Sequence, residues 1–262
     1  TLVNDAPIVT QGGGGDGTEE WRPQNVTKRF YGPTPVREGL VRSRNLVSIR
    51  LLRGVGIGPA LEHISAFGFT PEALPPNLTL ALGTGQVTPV DMARGFAVFA
   101  NGGFRVSPHV IASVTDSAGR VVRMADPPLA CPECVEGDGP VPVERRAPQA
   151  ISPANAFVMT DMMADVIQRG TAQRAKALGR SDLAGKTGTT NDRRDAWFVG
   201  YNADLVAAAW IGFDQERSLG DNEEGGRTAL PMWVYFMSEA LRDRPAHRLP
   251  EPPGVVRMWV SR

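Results

Sequence analysis

Three runs of sequence are the most informative part of the chain: LAGKTGTT at residues 183–190, DAWFVGY at 195–201 and LVAAAWIGF at 205–213. The second and third runs are rich in β-forming residues and are separated by Asn-Ala-Asp at 202–204, which predicts a β-hairpin. The first run, from about Leu183 to Thr189, is then a third antiparallel neighbour. The sequence therefore predicts a three-stranded antiparallel meander.

Helical stretches precede this meander. Thr88 and Pro89 supply an N-cap hydroxyl and a proline at the first helical position, and Asn-Gly-Gly at 101–103 supplies the stop. Ser152-Pro153 repeats the start signal ahead of a second helix that ends at Gly170. Helices first and a meander late predict an α+β fold in which a helical part packs on an antiparallel sheet.

Composition limits the classes of function. A chain of 262 residues with 42% hydrophobic residues can bury one substantial core, and its 28 Lys plus Arg balance its 28 Asp plus Glu. Nucleic acid and anionic membranes are therefore not predicted partners. No apolar run approaches the roughly 20 residues of a membrane span, and the start lacks both Met and a signal-peptide pattern. We expect a fragment of a longer protein whose membrane anchor lies outside this chain.

Both cysteines lie in a Pro- and Gly-rich stretch at about 126–148, which we interpret as a surface insertion. Cys131 and Cys134 form one Cys-x-x-Cys, which is half of a usual zinc site, and the three histidines are scattered without ligand spacing. A local disulfide, free thiols and a metal site are the alternatives. The disulfide is favoured, and neither a metal nor another cofactor is predicted.

Gly-Lys-Thr at 185–187 admits two interpretations. In a phosphate loop, Gly-x-x-x-x-Gly-Lys-Thr, the first glycine would lie at position 180, which is Arg180. A phosphate loop also needs a strand before it and a helix after it, the reverse of the order predicted here. The four glycines at 12–15 open no helix in register either, and they predict a flexible loop.

The second interpretation places Lys-Thr-Gly on the edge strand of an acyl-serine enzyme, opposite a Ser-x-Asn on the helical side. Lys186 would attract a substrate carboxylate, and the hydroxyls of Thr187 and Thr189 would hydrogen-bond it. Gly188 would let substrate backbone lie against the strand. The main-chain N–H of Thr189 would face a developing oxyanion.

The matching Ser-x-Asn is Ser43-Arg44-Asn45. It lies between two predicted helical stretches, a short one from Pro33 to Leu40 and another from Leu46 to Leu52. Because tripeptides of this kind occur by chance, Ser43 and Asn45 taken alone favour helix capping.

Longer segments extend the pattern over nearly the whole chain. They resemble, in the same order, the transpeptidase domain of class A (bifunctional) penicillin-binding proteins: WRPQN at 21–25, REGLVRSRN at 37–45, VTPVDMA at 87–93, FANGG at 99–103, RGTA at 169–172, AGKTGTTN at 184–191 and DAWFVGY at 195–201. The resemblance implies a penicillin-binding protein/serine β-lactamase-like fold, with an antiparallel sheet, packed helices and a helical subdomain. Residues 1–262 would be the C-terminal part of that domain, which is incomplete in this chain.

The resemblance also implies a role for each matched site residue. Ser43 would relay a proton to the leaving amine, and Asn45 would bind the substrate amide and orient the nucleophile's lysine. Lys186 would support this proton network, and the Thr189 N–H would form half of the oxyanion hole. The substrate would lie along Thr187, Gly188, Thr189 and Thr190, with Thr187 and Thr189 binding its terminal carboxylate.

The family's nucleophile lies in a Ser-x-x-Lys upstream of Ser-x-Asn, and no Ser-x-x-Lys occurs in these 262 residues. LVNDAPI at 2–8 resembles the sequence shortly after that motif, so we expect that the motif was cut away. Without the serine there is no acyl-enzyme. The chain alone is therefore predicted to be inactive and to need the missing upstream segment of its own domain as a partner.

For the parent protein, the resemblance implies cross-linking of peptidoglycan stem peptides, binding of β-lactam antibiotics, a glycosyltransferase domain, and a place on the outer face of the cytoplasmic membrane. A class A β-lactamase is an alternative, but the Glu-x-x-x-Asn expected of it does not occur. A non-catalytic binding or sensor module is the other alternative. A Ser-x-x-Lys in the upstream sequence would discriminate an enzyme from such a module.

Overall fold

The computed structural model describes residues 1–11, 20–134 and 139–258, without the side chain of Gln11. Within these ranges the strands are β1 (Leu2–Asp5), β2 (Thr10–Gln11), β3 (Glu20–Trp21), β4 (Gly32–Pro35), β5 (Ser113–Thr115), β6 (Val121–Met124), β7 (Ala184–Thr189), β8 (Ala196–Tyr201) and β9 (Val206–Ile211). The α-helices are α1 (Val36–Val41), α2 (Asn45–Val55), α3 (Ile57–Ser65), α4 (Pro89–Ala100), α5 (Pro153–Arg169) and α6 (Ala229–Ala240). The glycine loop predicted at 12–15 lies outside the described residues.

The predicted meander is confirmed. Strands β7, β8 and β9 form an antiparallel sheet in that order, and β7 pairs with β8 from Ala184 opposite Tyr201 to Thr189 opposite Ala196. The N–H of Asn202 donates to the carbonyl of Leu205 at 3.0 Å and closes the predicted hairpin. Strand β7 is thus an edge strand of the sheet as far as the structure describes it.

Helices cover both faces of this sheet. The ring of Phe198 on β8 lies 4.9 Å from that of Trp233 on α6. Tyr201 points to the opposite face, since side chains alternate along a strand, and its hydroxyl lies 2.9 Å from that of Thr160 on α5. The ring of Phe96 on α4 packs against Tyr201 at 6.3 Å. The sheet is therefore sandwiched between α6 on one side and α4 with α5 on the other, which agrees with the predicted α+β class.

Both predicted helix starts are confirmed. At α4, the Thr88 hydroxyl accepts the Asp91 N–H at 3.1 Å and the Asp91 carboxylate accepts the Thr88 N–H at 3.1 Å, which is a capping box. At α5, the Ser152 hydroxyl accepts the Asn155 N–H at 3.2 Å, and Gly170 follows the last helical residue. In the part of the chain that the structure describes, no helix is both long and apolar enough to cross a membrane.

The helix predicted from Pro33 exists, but its predicted first residue was wrong. Gly32–Pro35 form β4, which pairs with β1, and α1 begins only at Val36. The two prolines explain the difference, because a residue that precedes proline is disfavoured in the helical region and Thr34 precedes Pro35. The stretch predicted at 46–52 is confirmed as part of α2.

Cys131 and Cys134 form a disulfide, so the favoured alternative for this pair is confirmed. Around it, Leu129 pairs with Arg146 in an isolated parallel bridge, and the guanidinium of Arg145 forms an ion pair with Asp126. These contacts close the base of the stretch at about 126–148. Its residues 135–138 lie outside the described part of the chain.

Candidate active site

Ser43 lies in the turn between α1 and α2. Its φ of 52° is in the left-handed region, which is uncommon and strained for a residue with a side chain. The N–H of Ser43 donates to the carbonyl of Leu40 at 3.1 Å and the N–H of Arg44 donates to that of Gly39 at 2.8 Å, which fixes the turn. The capping interpretation is wrong, since the N-cap of α2 is Arg44, whose side chain makes no capping hydrogen bond, and the first-turn N–H of Leu46 donates instead to Asn25 Oδ1 at 3.4 Å.

Lys186 on β7 meets Ser43 across 143 positions of sequence, with its Nζ 2.9 Å from the Ser43 Oγ. The same ammonium donates to the carbonyl of Thr187 at 2.8 Å. Although the side chain keeps some exposed surface, its ammonium lies deep among protein atoms, and this burial lowers the pKa of Lys186 from 10.5 to about 8. Lys186 can therefore both donate and accept a proton close to neutral pH.

We expect Lys186 to titrate near pH 8 in a ¹³C NMR titration of the lysine Cε groups. The chain has three lysines, so Lys→Arg variants at Lys28 and Lys176 assign the signals. Because the unfolded chain keeps this proton up to about pH 10.5 and the folded chain loses it near 8, resistance to urea should rise between these two pH values. Lys186→Met should abolish that rise; the same rise in both proteins would contradict the lowered pKa.

The pairing of β7 with β8 determines which backbone N–H and C=O groups of β7 face away from the sheet. The N–H of Thr190 donates to the carbonyl of Asp195 at 3.1 Å, so this pair is hydrogen-bonded. Since hydrogen-bonded and non-hydrogen-bonded pairs alternate, Thr189 and Thr187 are non-hydrogen-bonded positions. Their N–H and C=O groups face away from β8, which agrees with the contact from Lys186 to the Thr187 carbonyl. The N–H of Thr189 is therefore directed to the outer edge of β7.

The threonine side chains of β7 lie on the opposite face from Lys186, because the strand alternates. The buried Thr187 hydroxyl lies 2.7 Å from the Thr171 hydroxyl, just beyond the end of α5. The Thr189 hydroxyl accepts the N–H of Gly225 at 3.0 Å, which leaves its own proton for an acceptor. Thr171 was not a predicted site residue, although it lies within the matched RGTA segment.

Two predicted site residues make other contacts. The Asn45 side-chain amide donates to the carbonyl of Gln24 at 2.8 Å. The Thr190 hydroxyl accepts the N–H groups of Arg194 at 3.1 Å and Asp195 at 2.8 Å, and so closes the turn after β7. The structure therefore brings together Ser43, Lys186 and the edge of β7, and the catalytic and substrate roles of all the predicted site residues stay predictions.

The loop at 225–226 is packed tightly against β7. A Cβ on Gly225 would lie 2.3 Å from the Trp197 carbonyl oxygen and 2.4 Å from that of Gly188. Both neighbours are backbone atoms of paired strands, so neither can move aside cheaply. A Cβ on Gly188 itself would lie 3.0 Å from the Trp197 Cβ. Glycine at 188 and 225 thus keeps the loop within hydrogen-bonding reach of Thr189.

Gly225→Ala is expected to cost about 1–3 kcal/mol of unfolding free energy, because the new methyl group must displace the loop from β7. Urea denaturation of the purified chain measures this cost. The control is Gly58→Ala in α3, where a Cβ meets no atom within 4 Å and φ is not positive. It should not lower stability and should raise it by about 0.4–1 kcal/mol, because alanine suits a helix better than glycine. Equal stability of the two variants would show that the loop is not seated as described.

Fold and site together define the class of this protein. A lysine on a Lys-Thr-Gly edge strand contacts the serine of a Ser-x-Asn turn, and helices cover both faces of an antiparallel sheet. This is the architecture of penicillin-binding proteins and serine β-lactamases.

The family model described as the penicillin binding protein transpeptidase domain matches residues 2–211. Penicillin-binding protein 1A of Pseudomonas aeruginosa is 45% identical over 293 residues, which cover 100% of this chain and 35% of that protein. Penicillin-binding protein 1A of Neisseria gonorrhoeae is 46% identical over 256 residues, or 98% of this chain and 30% of that protein. The chain belongs to the transpeptidase domain family of class A penicillin-binding proteins, and it spans about a third of the length of these relatives.

Solved structures of penicillin-binding proteins share the fold of this chain. The 2.6 Å crystal structure of penicillin-binding protein 1A from Haemophilus influenzae has a TM-score of 0.89 at 35% identity, over 97% of this chain and 41% of that chain. The penicillin-binding protein PonA1 of Mycobacterium tuberculosis, in complex with penicillin V, has a TM-score of 0.73 at 26% identity, over 97% of this chain and 66% of that chain. The predicted fold class is therefore confirmed.

Proposed function

We propose that this chain is part of a serine-type peptidoglycan D,D-transpeptidase, and that its parent protein also carries a glycosyltransferase domain and acts on the outer face of the cytoplasmic membrane. The contact between Lys186 Nζ and Ser43 Oγ, 2.9 Å long at the open edge of β7, is the observation that carries the proposal. The contact joins the Ser43 hydroxyl to an amine whose pKa of about 8 lies close to neutral pH. A proton relay needs such an arrangement, because the amine can then both give and take a proton. Residues 1–262 are the C-terminal part of the domain, with an insertion at about 126–148.

In the proposed reaction, the nucleophilic serine of the parent protein passes its proton to the lysine of its Ser-x-x-Lys and attacks the carbonyl carbon of the D-Ala-D-Ala bond. The C–N bond breaks, the Ser43 hydroxyl passes a proton to the departing D-Ala amine, and Lys186 restores that proton. The N–H of Thr189 stabilises the oxyanion from the edge of β7. An amine of a second stem peptide then attacks the acyl carbon and gives up a proton, which returns Lys186 to its ammonium form through Ser43. The released serine takes its proton back from its own lysine. A β-lactam would acylate the same serine through opening of its ring.

The substrate's terminal carboxylate would bind at the hydroxyls on the other face of β7. Thr189 has a proton to donate, and Thr187 with Thr171 forms a hydroxyl pair beside it. Gly188 would leave room for the substrate backbone. Asn45 would reach the substrate amide, and Thr190 would line the end of the site.

The catalytic serine itself would come from a part of the parent protein outside these residues, because the 262 residues contain no Ser-x-x-Lys. The chain alone would then be inactive. Fluorescent penicillin, read on a denaturing gel, tests both statements with the parent protein and the 262-residue chain side by side. Labelling of the parent alone is expected. A folded parent that is not labelled would overturn the proposal in favour of a non-catalytic binding module, and rapid hydrolysis of the label would favour a β-lactamase.

A further inference from the structure

A group of ion pairs joins the two helices that lead into the site. Helix α1 contributes Arg37 and Glu38, and α5 contributes Asp161, Asp165 and Arg169, which lie four residues apart along one stripe of the helix. We call these five residues the α1–α5 ion network. Its side chains keep between 28% and 41% of their surface exposed, so they are neither fully solvated nor deeply buried.

Arg169 bridges the two helices. One terminal nitrogen of its guanidinium donates to Glu38 Oε1 on α1, and the other donates to Asp165 Oδ2 on its own helix at 2.9 Å. Arg37 reaches back from α1 to Asp161 at 2.6 Å and to Asp165 at 3.2 Å. Each arginine therefore engages two acidic partners with its planar fork, a geometry that a lysine cannot reproduce.

The two helices end at opposite halves of the site. Helix α1 ends at Val41, two residues before Ser43, whereas α5 ends at Arg169, two residues before Thr171 and its contact with Thr187. At this junction a Cβ on Gly170 would lie 2.4 Å from the Val41 carbonyl oxygen, so the two helix ends are in close contact. A shift of α1 along α5 would move Ser43 relative to β7.

We infer that Arg169 is a positioning residue for acyl transfer: through Glu38 and Asp165 it locks the Ser43 turn in register with Lys186 and the Thr171–Thr187 pair. This inference rests on the proposed function. Misplacing a catalytic group by about 1 Å can cost about 10²-fold in rate, whereas partly exposed ion pairs contribute little to overall stability. Loss of Arg169 should therefore affect reactivity far more than folding.

The test compares Arg169→Gln with Arg94→Gln in the parent protein. Arg94 on α4 pairs with Asp91 at 2.7 Å, with side-chain exposures of 24% and 32% that match the 30% and 28% of Arg169 and Asp165. Both variants should lose a similar, small amount of stability. Arg169→Gln should lower the first-order rate of acylation by fluorescent penicillin by about 10²-fold with little change in noncovalent affinity, and Arg94→Gln should leave that rate unchanged.

Glu38→Gln supplies an internal check. It should slow acylation to a similar extent, and the double variant with Arg169→Gln should be no slower than either single variant, because both break the same bridge. Acylation of Arg169→Gln at the wild-type rate, or a loss of rate equal to that of Arg94→Gln, would overturn the inference.

A second readout does not depend on acylation. In the 262-residue chain, Arg169→Gln should loosen the Ser43 turn, admit water to Lys186 and shift its NMR titration midpoint from about 8 toward 10.5. Arg94→Gln should not shift it. If the wild-type parent is not labelled by penicillin, the proposed function fails while this titration still decides whether Arg169 positions the turn. An unshifted midpoint would overturn that role.

Discussion

Replacing Lys186 by methionine is expected to slow acylation of the parent protein by fluorescent penicillin by about 10²–10⁴-fold, the usual contribution of a positioned proton donor or acceptor. Methionine keeps a flexible apolar stem but has no proton to exchange with the Ser43 hydroxyl, which lies 2.9 Å from the Lys186 ammonium. Single-turnover labelling, quenched at increasing times, measures the rate.

The matched control is Lys176→Met. Lys176 is exposed in the 3₁₀-helix Gln173–Leu178, on the chain between α5 and β7, so its replacement changes the same charge without touching the site. It should be labelled like the wild type. If Lys186→Met is folded and labelled as fast as Lys176→Met, then Lys186 takes no part in proton transfer, and the contact with Ser43 is only structural.

The second large effect is expected in the core. Trp233→Ala should cost about 3–5 kcal/mol of unfolding free energy, a large part of the total for an ordinary domain. Trp233 is 1% exposed, packs its ring against Phe198 at 4.9 Å, and donates its indole N–H to the Gly200 carbonyl at 3.3 Å. Its removal leaves a cavity beneath β8, the strand on which β7 is aligned.

Urea denaturation of the 262-residue chain measures this loss. Tyr235→Ala is the control, because Tyr235 lies on the same helix, α6, and is 76% exposed. It should change stability by no more than about 0.5 kcal/mol. Comparable losses in the two variants would mean that α6 does not bury Trp233 against the sheet.

Much of the fold was predictable from local sequence. The caps of α4 and α5 at Thr88 and Ser152 and the hairpin at 202–204 depend on residues within a few positions of one another. Such signals can be recognised in the sequence without a structure. The prediction that a helix starts at Pro33 was wrong because proline suits both a helix start and an extended strand, and pairing with β1 favours the strand.

The site was predicted less completely. The pairing of Lys186 with Ser43 followed from resemblance and not from spacing, and the tripeptide alone favoured helix capping. The contacts of Thr171 with Thr187 and of Gly225 with Thr189 were not predicted, since nothing local marks them. The two cysteines were compatible with a disulfide, free thiols or a metal site until the structure paired them.

Local sequence was enough to predict where α4 and α5 begin, that β7 to β9 form a meander, and which family the chain resembles. Caps, turns and alternation are properties of neighbouring residues, so they need no tertiary structure. Which groups meet depends on packing between distant parts of the chain: Ser43 and Lys186 are 143 residues apart, and Thr189 and Gly225 are 36 apart. The lowered pKa of Lys186 belongs with these contacts, because it comes from burial that packing alone creates.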